Sequence, residues 1–167
     1  MRLEELGLVG NCQYSALVDR EGAVVWCCLP RFDSEPVFGC LLDAEDGGRF
    51  LVGPAAGGAG EQAYVDNTNV LATTFRCPEG AFRVVDFAPR FSLYERYFRP
   101  TQLVRVLEPL EGAPRVRVVC DPRLGWSKRR PEQVLGSHHI PGQEQCEAED
   151  VPIVAFVQVA EAIHAVY

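Results

Sequence analysis

Short apolar runs separated by turn-forming residues dominate the chain. One run ends at Val18 and a second covers residues 23–29, with four charged or turn-forming residues between them. Because Gly22 supplies the positive φ that a short loop between strands commonly needs, this pattern predicts a β-hairpin. Pro30 has no N–H to donate to a sheet, so residues 31–34 are expected to leave the sheet as a loop.

The same pattern predicts two further hairpins. Residues 69–77 and 81–88 are predicted as strands around a Pro-Glu-Gly turn, and residues 101–107 and 115–120 as strands around a second turn region. No sustained amphipathic helix precedes residue 150. Repeated short strands joined by Gly and Pro turns therefore predict an all-β fold, an antiparallel β-sandwich built from successive hairpins.

Other segments have less distinct patterns. Residues 8–18 are predicted as the first strand, residues 49–53 as a strand, and residues 61–68 as an edge strand or an extended lead. Residues 37–42 fit a strand and a single helical turn equally, because periodicity cannot separate the two in so short an apolar run. Residues 89–100 are rich in aromatic side chains and are expected to be irregular.

Size and charge exclude several classes of function. With 167 residues the chain fits one domain with a sizeable core. Its 47% hydrophobic and 23% charged residues are typical of an ordinary globular protein. The net charge of -7 argues against a nucleic-acid partner, because such proteins need clustered Lys and Arg along phosphates. The basic run at residues 128–130 is best explained as a solvated loop.

The N-terminus and the cysteines indicate the compartment. Glu4 and Glu5 stand where a secretory signal would be basic, and no run approaches the ~18 apolar residues that span a bilayer, so we expect a cytoplasmic protein without a membrane partner. The seven cysteines are expected to be reduced thiols, because their number is odd and an export signal is missing.

The cysteines and histidines are poorly spaced for a metal site. Cys27 and Cys28 are adjacent in a strand and would point to opposite faces, and His138 and His139 have only His164 as a further histidine. Neither a metal nor a cofactor is expected.

Several motifs resemble one family. The segments that carry the resemblance are Gly7–Asn11, Asp19–Gly22, Trp26–Ser34 with Phe38, Tyr64, Asn67–Leu71 with Thr73, Val85–Arg90, Asp121–Arg123, Gly125–Lys128 and Gly136–His139. Together they resemble the N-terminal domain of bacterial glycoside hydrolase family 15 proteins, which are glucoamylase-like and trehalase-like enzymes. The resemblance implies a β-sandwich of the super-sandwich type that precedes an (α/α)6 barrel with the catalytic carboxylates, so no residue of this chain inherits a catalytic role.

The resemblance also divides the chain. Residues 1–139 are predicted as the N-terminal β-sandwich domain, and residues 140–167 as a divergent tail whose apolar end forms a last strand or a helix. The catalytic (α/α)6 barrel is expected to be absent from the chain. The implied partner is that barrel, in the same chain or separately encoded, with an α-glucan or trehalose as a further candidate.

The loop Arg31, Phe32, Asp33 and Ser34 is the best functional candidate. A guanidinium, an aromatic face and a carboxylate suit an interdomain latch, a contact to sugar, or simple loop packing, and the resemblance favours a role facing the barrel near its active site. Trp126 lies in a predicted loop and is a candidate sugar platform, whereas Trp26 lies in an apolar strand and is expected in the core.

Three aspartates at turns or strand ends are candidates for structural roles. Asp33, Asp86 and Asp121 are each expected to bond nearby backbone N–H groups. Glycosidic hydrolysis needs a suitably spaced pair of carboxyl groups, and nothing in the sequence singles out such a pair.

The sequence thus predicts a non-catalytic N-terminal domain of a glycoside hydrolase, which packs against the catalytic barrel of a protein that hydrolyses α-glucosidic bonds in carbohydrate metabolism. One alternative is a free-standing carbohydrate-binding module, which would need an exposed aromatic platform. Another is a truncated fragment without activity of its own, which would expose unpaired strand edges and apolar surface.

Overall fold

Strands form the regular structure of the described chain, together with two short 3-10 helices at Leu3–Glu5 and Gly125–Ser127. The computed structural model describes residues 2–131 and, for their backbone, residues 154–159 and 165–166. The strands are β1 (Gly7–Gly10), β2 (Ser15–Val18), β3 (Ala23–Cys28), β4 (Pro36–Phe38), β5 (Arg49–Pro54), β6 (Glu61–Tyr64), β7 (Leu71–Cys77), β8 (Gly80–Phe87), β9 (Phe91–Leu93), β10 (Arg96–Phe98), β11 (Gln102–Gly112), β12 (Val116–Asp121), β13 (Val154–Val159) and β14 (Ala165–Val166).

Two large sheets contain most of these strands. The first sheet has the order β1-β2-β3-β5-β12-β14, with β4 also paired to β3, and the second has the order β13-β11-β8-β7-β6. Strands β9 and β10 form a separate small hairpin. Pairing is antiparallel except where β13 joins β11 and β14 joins β12. The predicted all-β fold with antiparallel sheets is confirmed.

The first two predicted hairpins are confirmed. Strand β2 pairs with β3, with Ala16 opposite Cys27, and Gly22 between them has φ 86°. Strand β3 ends at Cys28, two residues before Pro30, as the missing N–H predicts. Strand β7 pairs with β8 around the predicted turn, with Cys77 opposite Gly80.

The third predicted hairpin is wrong. Strand β11 pairs with β8 in the second sheet, whereas β12 pairs with β5 in the first. The N–H of Ala113 donates to the carbonyl of Glu79, while the N–H of Ala55 donates to the carbonyl of Arg115. The chain therefore crosses between the sheets within three residues, because each strand already has a partner in its own sheet.

Residues 8–18 form two strands, so the prediction of one strand is wrong there. Cys12 has φ 69°, and the side chain of Asn11 accepts a hydrogen bond from the N–H of Gln13 at 3.1 Å, which closes a turn between β1 and β2. Residues 89–100 are not irregular, since they contain the hairpin of β9 and β10.

The structure also decides the predictions for the other short segments. Residues 49–53 lie in β5, and β6 is an edge strand of the second sheet. The open choice at residues 37–42 resolves into strand β4 followed by a turn. Of the predicted tail, residues 154–159 and 165–166 are strands, and the rest of 140–167 lies outside the described residues.

The core lies between the two sheets, which makes the fold a β-sandwich. Phe75 and Phe82 stack with ring centroids 4.9 Å apart, and Phe38 and Phe50 lie 6.0 Å apart. Complete burial of each such aliphatic or aromatic side chain contributes about 1.5–3 kcal/mol. The buried cluster includes Val9, Val18, Val24, Phe50 and Val52 from the first sheet and Leu71, Phe75, Phe82, Val84 and Leu107 from the second.

A completely buried arginine joins the sheets. Arg105 in β11 donates Nε to Oδ1 of Asp86 at 2.7 Å and Nη2 to Oδ2 at 3.1 Å, and both side chains have no exposed surface. Its guanidinium also donates to the carbonyl of Phe50 in β5 at 2.6 Å and to that of Gly22 in the β2–β3 turn at 2.7 Å. The ion pair of the second sheet therefore binds the backbone of the first sheet and of its β2–β3 turn.

Several loops meet at one end of the sandwich. Strands β3, β8 and β12 end there, and β2, β5 and β11 begin there, as their antiparallel registers require. The side chain of Asn11 donates to the carbonyls of Pro89 and Pro100, and the N–H of Arg123 donates to the carbonyl of Val37. The loop after β3, the β9–β10 hairpin and the loop after β12 thus share this end.

Candidate functional site

The loop after β3 carries an exposed ion pair. Arg31 donates Nε to Oδ1 of Asp33 at 2.9 Å and Nη2 to Oδ2 at 3.1 Å. The two side chains are 68% and 71% exposed. The hydrogen bond from Arg31 lowers the pKa of Asp33, so its carboxyl group stays ionised to a more acidic pH than that of an unpaired aspartate.

Ser34 closes this loop and Phe32 projects from it. The hydroxyl of Ser34 accepts a hydrogen bond from the N–H of Arg31 at 3.2 Å, and the N–H of Ser34 donates to the carbonyl of Arg31 at 3.2 Å. The polar groups of the loop therefore bond one another, while the ring of Phe32 is 58% exposed. A ring fixed on a self-bonded loop presents its apolar surface at little cost in conformational entropy.

Trp126 is a second exposed aromatic residue at this end of the sandwich. It lies in the 3-10 helix Gly125–Ser127 and is 62% exposed. Its ring centroid lies 6.3 Å from that of Trp26, with a tilt of 48° between the planes. The expectation that Trp26 belongs to the core is wrong in part, because its half-buried ring packs against that of the exposed Trp126.

Two contacts hold the Trp126 segment in place. Gly125 has φ 53°, and the carboxylate of Glu35 occupies the space that a side chain at Gly125 would need. The ammonium of Lys128 binds the carboxylate of Asp43 and lowers the pKa of that carboxyl group to about 2. Because Glu35 directly follows Ser34, the structure brings the two predicted candidate regions together. We call Arg31–Ser34 with Trp126 the rim.

Arg123 anchors the strand end from which the Trp126 segment leaves. Its guanidinium binds the carboxylate of Asp121 and donates Nε to the carbonyl of Asp46 at 2.9 Å. Burial raises the pKa of Asp121, but the hydrogen bonds from Arg123 and Arg130 outweigh burial and lower it overall. This buried arginine ties the loop before Trp126 to the turn that carries Asp43.

The three aspartates each pair with an arginine, so the expectation that nearby backbone N–H groups are the partners is wrong for Asp86 and Asp121. Asp33 pairs with Arg31, Asp86 with Arg105, and Asp121 with Arg123. Arginine forms two parallel hydrogen bonds with a carboxylate, so it competes effectively with single backbone N–H groups. Each carboxylate thus belongs to an ion pair with an arginine.

Sequence reasoning missed the exposed hairpin at residues 90–99, which we call the arm. Its aromatic content is visible in the sequence, but strand pairing was not predicted for so short a segment. The exposed large apolar side chains of the arm are Phe91, Leu93, Tyr94, Tyr97 and Phe98.

The described residues contain no cluster of three or more metal-ligating side chains, and none of their helices is long and apolar enough to cross a membrane. Burial raises the pKa of Cys27 to about 12, so its thiol is poorly reactive. His138, His139 and His164 lie outside the described residues.

Comparisons with known proteins identify the relatives. The family described as trehalase-like, N-terminal, matches residues 1–144. Trehalase 1 of Sulfolobus acidocaldarius is 43% identical over 88 residues, which cover 52% of this chain and 15% of that protein. The trehalase of Thermoplasma acidophilum is 31% identical over 118 residues, which cover 69% of this chain and 20% of that protein. The trehalase of Mycolicibacterium smegmatis is 32% identical over 85 residues, which cover 50% and 13%.

These relatives are much longer than the matching region. The chain spans no more than 20% of the length of the three trehalases. No solved structure matches it significantly. Because the family match covers residues 1–144 of 167, the chain belongs to the family of trehalase-like N-terminal domains.

Proposed function

We propose that this chain is the non-catalytic N-terminal domain of a glycoside hydrolase of the family 15 type, and that its rim packs against an (α/α)6 catalytic barrel. The observation that carries the proposal is the match of residues 1–144 to a domain of trehalases that are several times longer. The parent protein then hydrolyses α-glucosidic bonds, with trehalose as the first substrate to test and maltooligosaccharides, as in glucoamylase-like enzymes, as the second.

The rim has the composition of an interdomain contact. Phe32 and Trp126 are each more than half exposed, and the pair of Arg31 and Asp33 lies beside them with its charges accessible. Aromatic residues and arginine are enriched at protein interfaces, where they form well-packed anchors. The rim is also preformed, because its loop and the Trp126 segment are fixed by internal hydrogen bonds.

A cytoplasmic location belongs to the same proposal. The six cysteines among the described residues are free thiols, which suits a reducing compartment. Cysteine labelling with a membrane-impermeant reagent tests this location. The exposed thiols of a cytoplasmic protein should react with that reagent in lysates and not in intact cells.

The test uses the longest polypeptide that the gene encodes, captured from its source cells. An intact mass large enough for a barrel, with glucose release from trehalose, supports the proposal. Phe32→Ala and Trp126→Ala are expected to lower kcat/KM or to make the domain more accessible to protease. Leu110→Ala is the control, because Leu110 is 50% exposed in the part of β11 that leads to the opposite end of the sandwich. If all three variants have the same kcat/KM and the same protease accessibility, the rim is not part of the interface.

A free-standing carbohydrate-binding module is the second candidate, because Phe32 and Trp126 are exposed aromatic rings of the kind that stack on sugars. Binding at Trp126 would change the tryptophan emission of the purified chain, since the Trp26 and Trp126 rings are close. A saturable change on addition of trehalose or maltooligosaccharide, lost in Trp126→Ala, supports this candidate. A mass near 18.5 kDa for the native product without such a change leaves the fragment without activity as the remaining explanation.

A further inference from the structure

The arm exposes more apolar surface than any role inside the domain explains. Tyr94 is 87% exposed and Tyr97 is 70% exposed, and Phe91, Leu93 and Phe98 are also exposed. These five side chains lie within eight consecutive residues. Clustered apolar exposure of this kind marks interaction sites in soluble proteins.

The arm is held in a fixed conformation. The side-chain amide of Asn11 donates to the carbonyl of Pro89 at 3.2 Å and to that of Pro100 at 3.0 Å, so one buried residue clamps both ends. At the tip, Tyr94 and Glu95 both have positive φ, 50° and 58°, which matches the twist of the two strands. A preformed surface loses little entropy on binding.

Ring stacking adds to this order. Phe91 and Phe98 stack with centroids 5.5 Å apart and an angle of 15° between their planes. The guanidinium of Arg90 lies 5.5 Å from the centre of the Tyr97 ring. The arm therefore presents aromatic faces and guanidinium groups in one arrangement, which is the composition of interface anchors.

Charge indicates what the arm contacts. Residues 90–99 contain three arginines and one glutamate, for a net charge of +2, whereas the whole chain carries -7. A partner surface with acidic groups around an apolar floor is complementary to this arm.

We propose that the arm is a second docking element, which inserts into an acidic groove with an apolar floor on the catalytic portion of the parent protein. This inference rests on the proposed function. It follows from the position of the arm, since Asn11 fixes its base at the end of the sandwich that carries the rim. The relatives leave at least 80% of their length for such a partner. A second copy of the chain bound to the arm would compete with the catalytic portion, because both would occupy the end of the sandwich that carries the rim.

Photo-crosslinking distinguishes the arm from the rim. The longest polypeptide that the gene encodes, with its separately encoded barrel if there is one, is produced with p-benzoylphenylalanine in place of Tyr97, Phe32 or Leu110 in turn. Crosslinked peptides are identified by mass spectrometry. We expect Tyr97 to crosslink to peptides of the catalytic portion that contain Asp or Glu, and Leu110 at the opposite end not to do so.

The outcomes separate the two proposals. Crosslinks from Phe32 to the catalytic portion without any from Tyr97 would overturn the arm proposal and leave the proposed function in place. Crosslinks from Tyr97 only to a second copy of this chain would also overturn it. Absence of crosslinks to the catalytic portion from both positions would remove both proposals.

A double variant of the arm gives a quantitative test. Tyr94→Ser with Tyr97→Ser changes two exposed side chains, so the fold should keep its denaturation midpoint. Cleavage by protease between the domain and the catalytic portion is expected to become faster by about tenfold or more, because interface anchors of this type dominate binding. An unchanged cleavage rate would contradict docking by the arm.

Discussion

Two arginine–aspartate pairs of the same geometry lie in opposite surroundings in this domain. Arg105 and Asp86 form two parallel hydrogen bonds in the centre of the sandwich with no exposed surface, and Arg31 and Asp33 form two in a loop with more than two-thirds of each side chain exposed. The interaction is alike at the atomic level. Its consequence depends on what surrounds it.

The buried pair of Arg105 and Asp86 makes several interactions in the core. Removing either partner would leave a charge in the core, where the solvation that water provides is missing. Arg105 also binds two carbonyl groups of the facing sheet and lies 4.9 Å from the centre of the Phe50 ring. The exposed pair has water as an alternative partner, so its contribution to folding is small and its charges remain available to a binding partner. Burial therefore makes one pair important for stability and leaves the charges of the other exposed.

The largest expected effect is that of Arg105→Met. This variant keeps much of the side-chain volume but leaves Asp86 buried without a cation, so we expect a loss of about 3–5 kcal/mol in the free energy of unfolding. Urea denaturation followed by tryptophan emission measures it. A midpoint equal to that of the unmodified chain would contradict the structural importance of the pair.

The double variant Arg105→Met with Asp86→Leu is the matched control. It removes both charges, so it should be less destabilised than Arg105→Met alone, even though two carbonyl groups of the first sheet lose a donor. Strictly additive losses for the two substitutions would show that the charges act independently.

The next effect is that of Gly125→Ala in the rim. Alanine is strained at φ 53°, and its methyl group would overlap the carboxylate of Glu35, so we expect a loss of about 1–3 kcal/mol and an altered tryptophan emission as Trp126 moves away from Trp26. Gly125→Ala with Glu35→Ala removes the carboxylate, with which the overlap is greatest, and should recover part of the loss. No recovery would mean that backbone strain and the remaining contact with Cβ of residue 35, at 2.8 Å, account for it.

Asp33→Asn gives a smaller effect on folding and completes the comparison. Because the pair is exposed, we expect no resolvable change in the urea midpoint, whereas Asp86→Asn should lower it clearly. In the parent protein, Asp33→Asn should weaken the contact with the catalytic portion, measured as faster protease cleavage between the two. Equal shifts of the midpoint in both variants would remove the distinction between the pairs.

Much of the fold follows from local pattern, and the exceptions have a physical cause. The hairpins β2–β3 and β7–β8 were predictable because a turn joins strands that pair with each other. The apparent hairpin of β11 and β12 was not, because pairing with distant strands places them in different sheets. Local sequence contains no signal for the choice between a neighbouring and a distant partner.

The site was predictable to a similar degree. A proline-terminated strand followed by Arg31-Phe32-Asp33-Ser34 indicated the rim loop, and Trp126 was recognised as a loop tryptophan. The alternation in β11, where Leu103, Arg105 and Leu107 face inward, contains a signal for the buried arginine. It was missed because charged residues are expected to face water. The rigidity of the arm depends on Asn11, which lies far from it in the sequence.

A further small effect, on pH dependence, concerns Lys128 and Asp43, a partly exposed pair that fixes the Trp126 segment. The hydrogen bond from Lys128 lowers the pKa of Asp43 to about 2 in the folded chain, below the ordinary value of 3.8. Its stabilising contribution is therefore fully present above pH 4 and is lost as the pH falls through about 2. Titration of the Asp43 carboxyl carbon by NMR should give a midpoint near 2, which should rise in Lys128→Gln. A midpoint that is the same in both proteins would show that the turn N–H groups of Glu45 and Asp46, and not Lys128, set the pKa.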